Sequence, residues 1–231
     1  MKKNILLIGG SYGIGNEIAT QLKDSHNVII ASRTKEELSE EITHHTFDVL
    51  KDSISDLNLP EEIHGLVYCP GSINLKPFKM MSPEIFQKDI ELNFLSLVNV
   101  VHGLLPKLKK TEQASLVFFS TVAVKVGMPF HTSVAAAKGA IEGFAKALAA
   151  EYAPNFRVNV IAPSLTDTSL AKKLVSTEAK KETLGKRHPL QRIGTTKDIA
   201  ATAVFLLEDS SSWVTGQVLG VDGGMSTLNI S

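Results

Sequence analysis

Three spaced glycines near the start of the chain carry the first chemistry in this sequence. Asn4-Ile-Leu-Leu-Ile8 is a short apolar run, and Gly9-Gly-Ser11-Tyr12-Gly13-Ile14-Gly15 follows it directly. The spacing G-x-x-x-G-x-G stands between an expected buried strand and an expected helix with Ile14, Ile18, Ala19 and Leu22 on one face. In such a strand–turn–helix unit Gly9 allows a sharp exit from the strand. Gly13 lets the backbone approach a pyrophosphate, and Gly15 lets the helix lie close on the sheet. The helix N-terminus offers unpaired N–H groups and the positive end of its dipole to phosphate. Gly9, Ser11, Tyr12, Gly13, Ile14 and Gly15 are therefore expected to cradle a dinucleotide. A P-loop is excluded, because no Gly-Lys-Ser/Thr follows the loop.

A second chemical signal lies at the end of the next apolar run, Val28-Ile-Ile-Ala31, where Ser32-Arg33 follows. In dinucleotide folds this position, about twenty residues past the glycine loop, meets the adenosine ribose. An acid there binds the 2′-hydroxyl of NAD, whereas an arginine accommodates the 2′-phosphate of NADP. With Arg33 present and no acid, NADP(H) is expected over NAD(H).

The elements that must hold these groups alternate along the chain. Thr46–Val49 reads as a third strand and Gly65–Cys69 as a fourth, closing at Pro70-Gly71. Ser82-Pro83-Glu84 is a helix start with an N-cap, a proline and an acid in the first turn. The helix expected over Glu84–Leu108 is apolar nearly all round, which predicts a partner on its outer side. Asn93 interrupts it, either as a core hydrogen-bonding residue or as a holder of water. Leu116–Phe119 is a fifth strand running into Ser120-Thr121. A helix from Ser133 to Tyr152 is rich in Ala and Gly and allows close approach by another helix. Arg157–Ile161 is a sixth strand, ended by Ala162-Pro163. Residues 164–190 are polar and Lys-rich and are expected to form a mobile lid. Thr195 to Asp198 resembles a capping box for a helix reaching Leu207. Val218–Val221 and Asp222-Gly-Gly224 are a last strand and turn. Glu36, Glu37, Glu40 and Glu41 look like the solvated face of a helix.

Composition narrows the class. With 231 residues the chain suits one α/β domain over 1–231, and the alternation predicts a Rossmann-like, doubly wound parallel sheet of about seven strands with helices on both faces. Lys plus Arg and Asp plus Glu number 24 each, so nothing draws the chain to nucleic acid or to an anionic membrane. The lone Cys69 excludes an internal disulfide and fits a reducing, cytoplasmic setting. Met1-Lys-Lys3 with the following apolar run mimics a signal peptide, but the run is too short and ends in the glycine loop. No stretch is long enough to span a bilayer, and no metal site is expected.

Taken in order, these motifs resemble the short-chain dehydrogenase/reductase family along essentially the whole chain. The matching pieces are Gly9-x3-Gly13-x-Gly15, Asp48-Val49, Asn93, Ser120-Thr121, Lys138, Asn159–Pro163 with Thr168, and Trp213–Gly216 with Val221–Gly224. The resemblance implies hydride transfer between a nicotinamide and a carbonyl or alcohol, a 3-oxoacyl or related ketone among them. It implies Asp48 and Val49 at the adenine, and Pro70, Gly71, Pro163, Thr166 and Thr168 along the cofactor. Lys138 would bind the nicotinamide ribose, with Asn93 and a hydroxyl at Ser120 or Thr121 assisting catalysis. Family members associate as tetramers or dimers through two long helices, here 84–108 and 133–152.

One departure dominates. The family's catalytic tyrosine stands four residues before the lysine, and here that position is Val134. Thr121 occupies the usual serine position by spacing. Two readings follow: an NADP(H)-dependent oxidoreductase with a relocated proton donor, or a catalytically degenerate NADP(H)-binding sensor or oligomerisation partner. Retention of Lys138, Asn93, Thr121 and Thr168 favours the enzyme, since a pure binder has less use for Asn93. His131, seven residues before Lys138, lies about two helical turns away on the same face. The family's divergent enoyl-reductase branch carries its tyrosine at that spacing, and imidazole suits acid catalysis near neutrality. Ser133 and a water held by Asn93 and Lys138 are the other candidate donors, ahead of Tyr12 and Tyr68.

Overall fold

The computed structural model describes residues 2–35 and 38–229. Its centre is a sheet of seven parallel strands: β1 (Asn4–Ile8), β2 (Asn27–Ser32), β3 (Thr43–Thr46), β4 (Gly65–Tyr68), β5 (Ala114–Phe119), β6 (Phe156–Pro163) and β7 (Val218–Val221). Their spatial order is β3-β2-β1-β4-β5-β6-β7. The chain winds one way from β1 to β3, returns, and winds the other way from β4 to β7. Between β1 and β4 lies the point where strand order reverses, and a crevice opens there at the carboxyl ends of the strands.

Both faces of the sheet are covered, which is why its strands are continuous apolar runs. Leu6, Ile8, Leu66, Leu116 and Phe118 face a layer formed by helix α3 (Ser96–Leu108) and helix α5 (Thr132–Tyr152), which insert Leu97, Val100, Leu104, Ile141 and Ala145. Ile5, Leu7, Ile30, Val67 and Val117 face helix α1 (Gly13–Leu22) and helix α7 (Thr196–Leu207), through Ile18, Leu22, Ile199, Ala203 and Leu206. Each of these helices packs one apolar stripe inward.

Several boundaries differ from the sequence reading. The third strand is Thr43–Thr46, earlier than the expected Thr46–Val49. Phe47 is 2 % exposed and Val49 is half-buried, so the apolar signal belongs to the chain leaving the strand and turning into the core. The helix beginning after Ser82 is three pieces: α2 (Pro83–Ile90), a π turn over Glu91–Leu95, and α3. It is not apolar all round, because Glu84, Gln87, Lys88, Glu91, Asn99 and His102 are exposed. No helix forms at Glu40 and Glu41, which lie in a turn, while Glu36 and Glu37 fall outside the described residues. The segment 164–190 is not featureless: it contains helix α6 (Glu178–Gly185) and a small core of Ala171 and Val175 against Ile193. The capping box at Thr195 and Asp198 is present, with Asp198 also held by the Arg192 guanidinium. Among the described residues no helix is long and apolar enough to cross a membrane.

Candidate functional site

A cavity of about 890 Å³ occupies the crevice. Its first wall is the glycine loop, with Gly9, Ser11, Tyr12, Gly13, Ile14 and Gly15 all lining it. Gly9 and Gly13 have φ of +74° and +62°, the left-handed region. At Gly15 the constraint is space: a Cβ would lie 2.7 Å from Gly10 Cα and 3.1 Å from the Gly9 carbonyl oxygen. Tyr12, the residue before α1, makes no side-chain cap, and the first residues of that helix, Gly13, Ile14 and Gly15, line the cavity. That is the arrangement a pyrophosphate needs.

Beyond the loop, Ser32 and Arg33 line the cavity after β2, and Asp48 and Val49 line it after β3. Arg33 is exposed, whereas the Ser32 hydroxyl is buried and donates to the Thr34 carbonyl oxygen at 2.8 Å. Asp48 Oδ1 accepts from the Leu50 N–H at 3.1 Å, and Asp48 lies 3.6 Å from the Lys51 ammonium. Pro70 and Gly71 after β4 continue the wall, as do Pro163 at the end of β6 and Thr166 and Thr168 beyond it.

Groups suited to acid–base work line the same cavity. Thr121, Ser120, His131, Val134 and Lys138 all line it. Ser120 donates its proton to Glu142 on α5 at 2.5 Å and so faces the helix. Thr121 Oγ1 accepts from the Ala123 N–H at 3.3 Å as the cap of the short helix α4 (Val122–Lys125), which leaves its O–H to donate into the cavity. His131 stands just before α5, where its side chain makes no cap; its Nδ1 lies 2.7 Å from the Pro129 carbonyl oxygen. A carbonyl only accepts, so Nδ1 carries the proton and Nε2 is the atom left for chemistry. Lys138 is buried, and that burial pushes its pKa down to about 8. Beside it, burial pushes the Cys69 thiol up to about 12, so this sulfur stays neutral.

Three other candidates sit outside the cavity. Asn93 is fully buried behind Gly71 and does not line the wall. Ser133 is buried and donates to Asp89 Oδ2 at 2.6 Å, so its proton is committed. The Tyr68 hydroxyl is enclosed with Ser96 and the Leu92 carbonyl, and its burial holds its pKa far above the ordinary tyrosine value. Sequence reasoning missed the Asp89 cluster, although an acid four residues before Asn93 shares its helical face. It also missed the outer end of the cavity, where Ile73, Leu75, Met128, Phe130, Leu170 and Leu184 make an apolar wall beside Arg187 and His188. These residues come from separate loops and from helix α6, and they leave no local pattern.

Comparison with known proteins agrees with this architecture. A family model described as enoyl-(acyl carrier protein) reductase matches residues 9–226. The 3-oxoacyl-(acyl-carrier-protein) reductase FabG of Chlamydia trachomatis is 33 % identical, with 98 % of each chain covered. The aldohexose dehydrogenase of Thermoplasma acidophilum, solved ligand-free, superposes with a TM-score of 0.90 at 25 % identity, covering 100 % of this chain and 96 % of that one. ElxO, solved with NADP bound, gives 0.89 at 28 % identity over 99 % of this chain and 100 % of its own.

Proposed function

The chain belongs to the short-chain dehydrogenase/reductase family and is an oxidoreductase, and from that premise we propose that it is an NADP(H)-dependent reductase of a ketone carried on an apolar, acyl-like chain. The observation that carries this reading is the convergence of Thr121, His131 and Lys138 with the glycine loop in one cavity. The uncapped start of α1 suits the pyrophosphate, and Arg33 suits the 2′-phosphate that distinguishes NADP from NAD. NADP bound in ElxO supports the same cofactor, and the FabG relative supports the substrate class.

In this reading NADPH, when bound, supplies the hydride that reaches the carbonyl carbon. Lys138 grips the nicotinamide ribose through its ammonium, and Asn93 stands beside it. Thr121 keeps its proton and donates a hydrogen bond to the carbonyl oxygen, polarising it as negative charge develops there. His131, with Nδ1 tied to Pro129, acts as the imidazolium: it delivers the Nε2 proton to that oxygen in place of the missing tyrosine and is left as the neutral Nδ1–H ring. The apolar wall of Ile73, Leu75, Phe130 and Leu170 takes the chain of the substrate, and residues 164–190 close over it as a lid. The whole of 1–231 works as one domain, and copies assemble through helices 84–108 and 133–152 into a homotetramer or homodimer. Exposed Ala136, Gly143 and Ala147 on α5 give that assembly a surface of small residues.

Screening NADPH oxidation over β-ketoacyl thioesters, enoyl thioesters, quinones and steroid-like ketones tests the proposal. With a substrate in hand, His131→Ala lowers kcat by roughly 10²–10⁴ and leaves NADPH affinity nearly unchanged. Near-normal turnover in that variant removes His131 from the mechanism. The second reading, a degenerate NADP(H) sensor, is favoured by one observation: an apolar Val134 lines the cavity where the donor is expected. Tight NADPH binding with no turnover of any substrate selects it. Gain of ketone reduction by Val134→Tyr instead marks a site still arranged for carbonyl chemistry.

A further inference from the structure

The helix that carries Asn93 also buries a carboxylate for which the reaction above has no task. Asp89 lies one turn earlier and is 1 % exposed. Ser72 Oγ at 2.6 Å and Asn74 Nδ2 at 2.7 Å donate to its Oδ1, and Ser133 Oγ at 2.6 Å donates to its Oδ2. The donors come from the loop after β4 and from the first turn of α5. One buried acid therefore ties together the two segments that flank Lys138.

The charge fixes the direction of each bond. A carboxylate only accepts, so the Ser72 hydroxyl commits its proton to Asp89 and turns its lone pairs the other way. Asn93 Nδ2 donates to that Ser72 oxygen at 2.9 Å and to the Asp89 main-chain carbonyl at 2.8 Å. Since the main-chain carbonyl can only accept, the atom facing it is the amide nitrogen, and both of its hydrogens are used. What remains is Asn93 Oδ1, a buried acceptor without a partner. It is aimed at Gly71, where a Cβ would lie 3.3 Å from Asn93 Oδ1 and 3.4 Å from Lys138 Nζ. An acceptor and a buried ammonium thus converge on one point in the cavity floor.

We propose that Asp89 is a positioning residue: acting through Ser72, its side chain adds a second restraint to the one its main-chain carbonyl places on the Asn93 amide, holding the amide oxygen toward Lys138 so that the cavity floor at Gly71 is an acceptor. The inference deepens the oxidoreductase reading by naming what holds the Asn93–Lys138 pair in a competent arrangement. An acceptor beside the ammonium supports the charged form of Lys138, which its burial opposes. Reversal of the amide would set N–H groups against the ammonium and oppose that form further. Cys69 is the other titratable group acting on Lys138, and its thiol stays neutral over the range concerned.

The test needs neither substrate nor cofactor, so it fails independently of the proposed activity. Lysine ε-carbon NMR of the ligand-free protein follows the titration of Lys138, with Lys138→Met assigning the signal. Asp89→Asn keeps the size of the side chain but lets the group facing Ser72 become a donor. Ser72→Ala removes the relay and keeps the carboxylate. Each variant should lower the Lys138 midpoint by up to about one pH unit, as the amide held by the main-chain carbonyl alone spends less time with its oxygen toward the ammonium. The Asn93 side-chain amide protons, protected from deuterium exchange in the parent, should exchange about tenfold faster or more in both variants. Ser72→Thr keeps the hydroxyl and should restore the parent value of each. A folded Ser72→Ala protein with unchanged midpoint and unchanged exchange overturns the proposal, and so does a Ser72→Thr protein that behaves like Ser72→Ala. If Asp89→Asn does not fold, the two Ser72 variants decide alone.

Discussion

Arg33 is the residue on which cofactor preference turns. It is exposed where the cavity reaches the end of β2, and an arginine–phosphate pair there is charge-assisted and often bidentate. Arg33→Ala is expected to weaken NADPH binding by about 1.5–3 kcal/mol while leaving NADH nearly unaffected. Titration of both cofactors against both proteins checks this, and equal parent affinities would remove the preference. Lys138 carries a different consequence. Its pKa of about 8 lies below the ordinary 10.5, so between those values the unfolded chain binds the proton more tightly than the folded one. Stability attributable to this residue therefore rises with pH across that window. Lys138→Met should raise Tm at pH 7, and the gain should shrink as pH approaches 10.5. The glycine loop was legible in the sequence because its constraints are local, set by neighbouring backbone. Asp89 was not, because its three donors arrive from the loop after β4 and from α5, and a single acid in a helix reads as a solvated one.

At the scale of elements, legibility followed the strength of the local signal. Thr195 and Asp198 announced the start of α7, and both halves of the capping box are present. Thr195→Ala should destabilise the protein by about 1 kcal/mol, read from urea unfolding, with no change in NADPH affinity. Edge strand β3 was harder to place, since Thr43-His44-His45-Thr46 has no apolar run and pairs on one side only. The apolar Phe47 and Val49 just after it drew the expected strand too late. A π turn at Glu91–Leu95 has no sequence signature either; within it, the Asn93 amide bonds the Asp89 carbonyl. Segment 164–190 read as a bare lid because its few apolar residues, Ala171 and Val175 among them, pack on Ile193 from beyond it.

For the whole molecule, strand–helix alternation was enough to specify a parallel, doubly wound sheet, and the Ala- and Gly-rich helix over 133–152 was legible too, whereas which of its small residues face outward had to be seen in place. Ala136, Gly143 and Ala147 form an exposed stripe there, and a Cβ at Gly143 would meet nothing within 4 Å. Light scattering at micromolar concentration should give the mass of a dimer or tetramer. Gly143→Trp should reduce it to a monomer with an unchanged circular dichroism spectrum. The position of β1 has a consequence for synthesis. Of the seven strands of this sheet it is made first, and it lies in the interior, between β2 and β4. A nascent chain that has emerged only as far as β3 carries Leu6, Ile8 and Ile29, yet the α3 and α5 residues that cover them have not been made. Such a chain exposes an apolar face and an unpaired strand edge until β4 and the first half of the later helices arrive. Translational pausing between β3 and β4 would prolong the interval in which that apolar face stays uncovered.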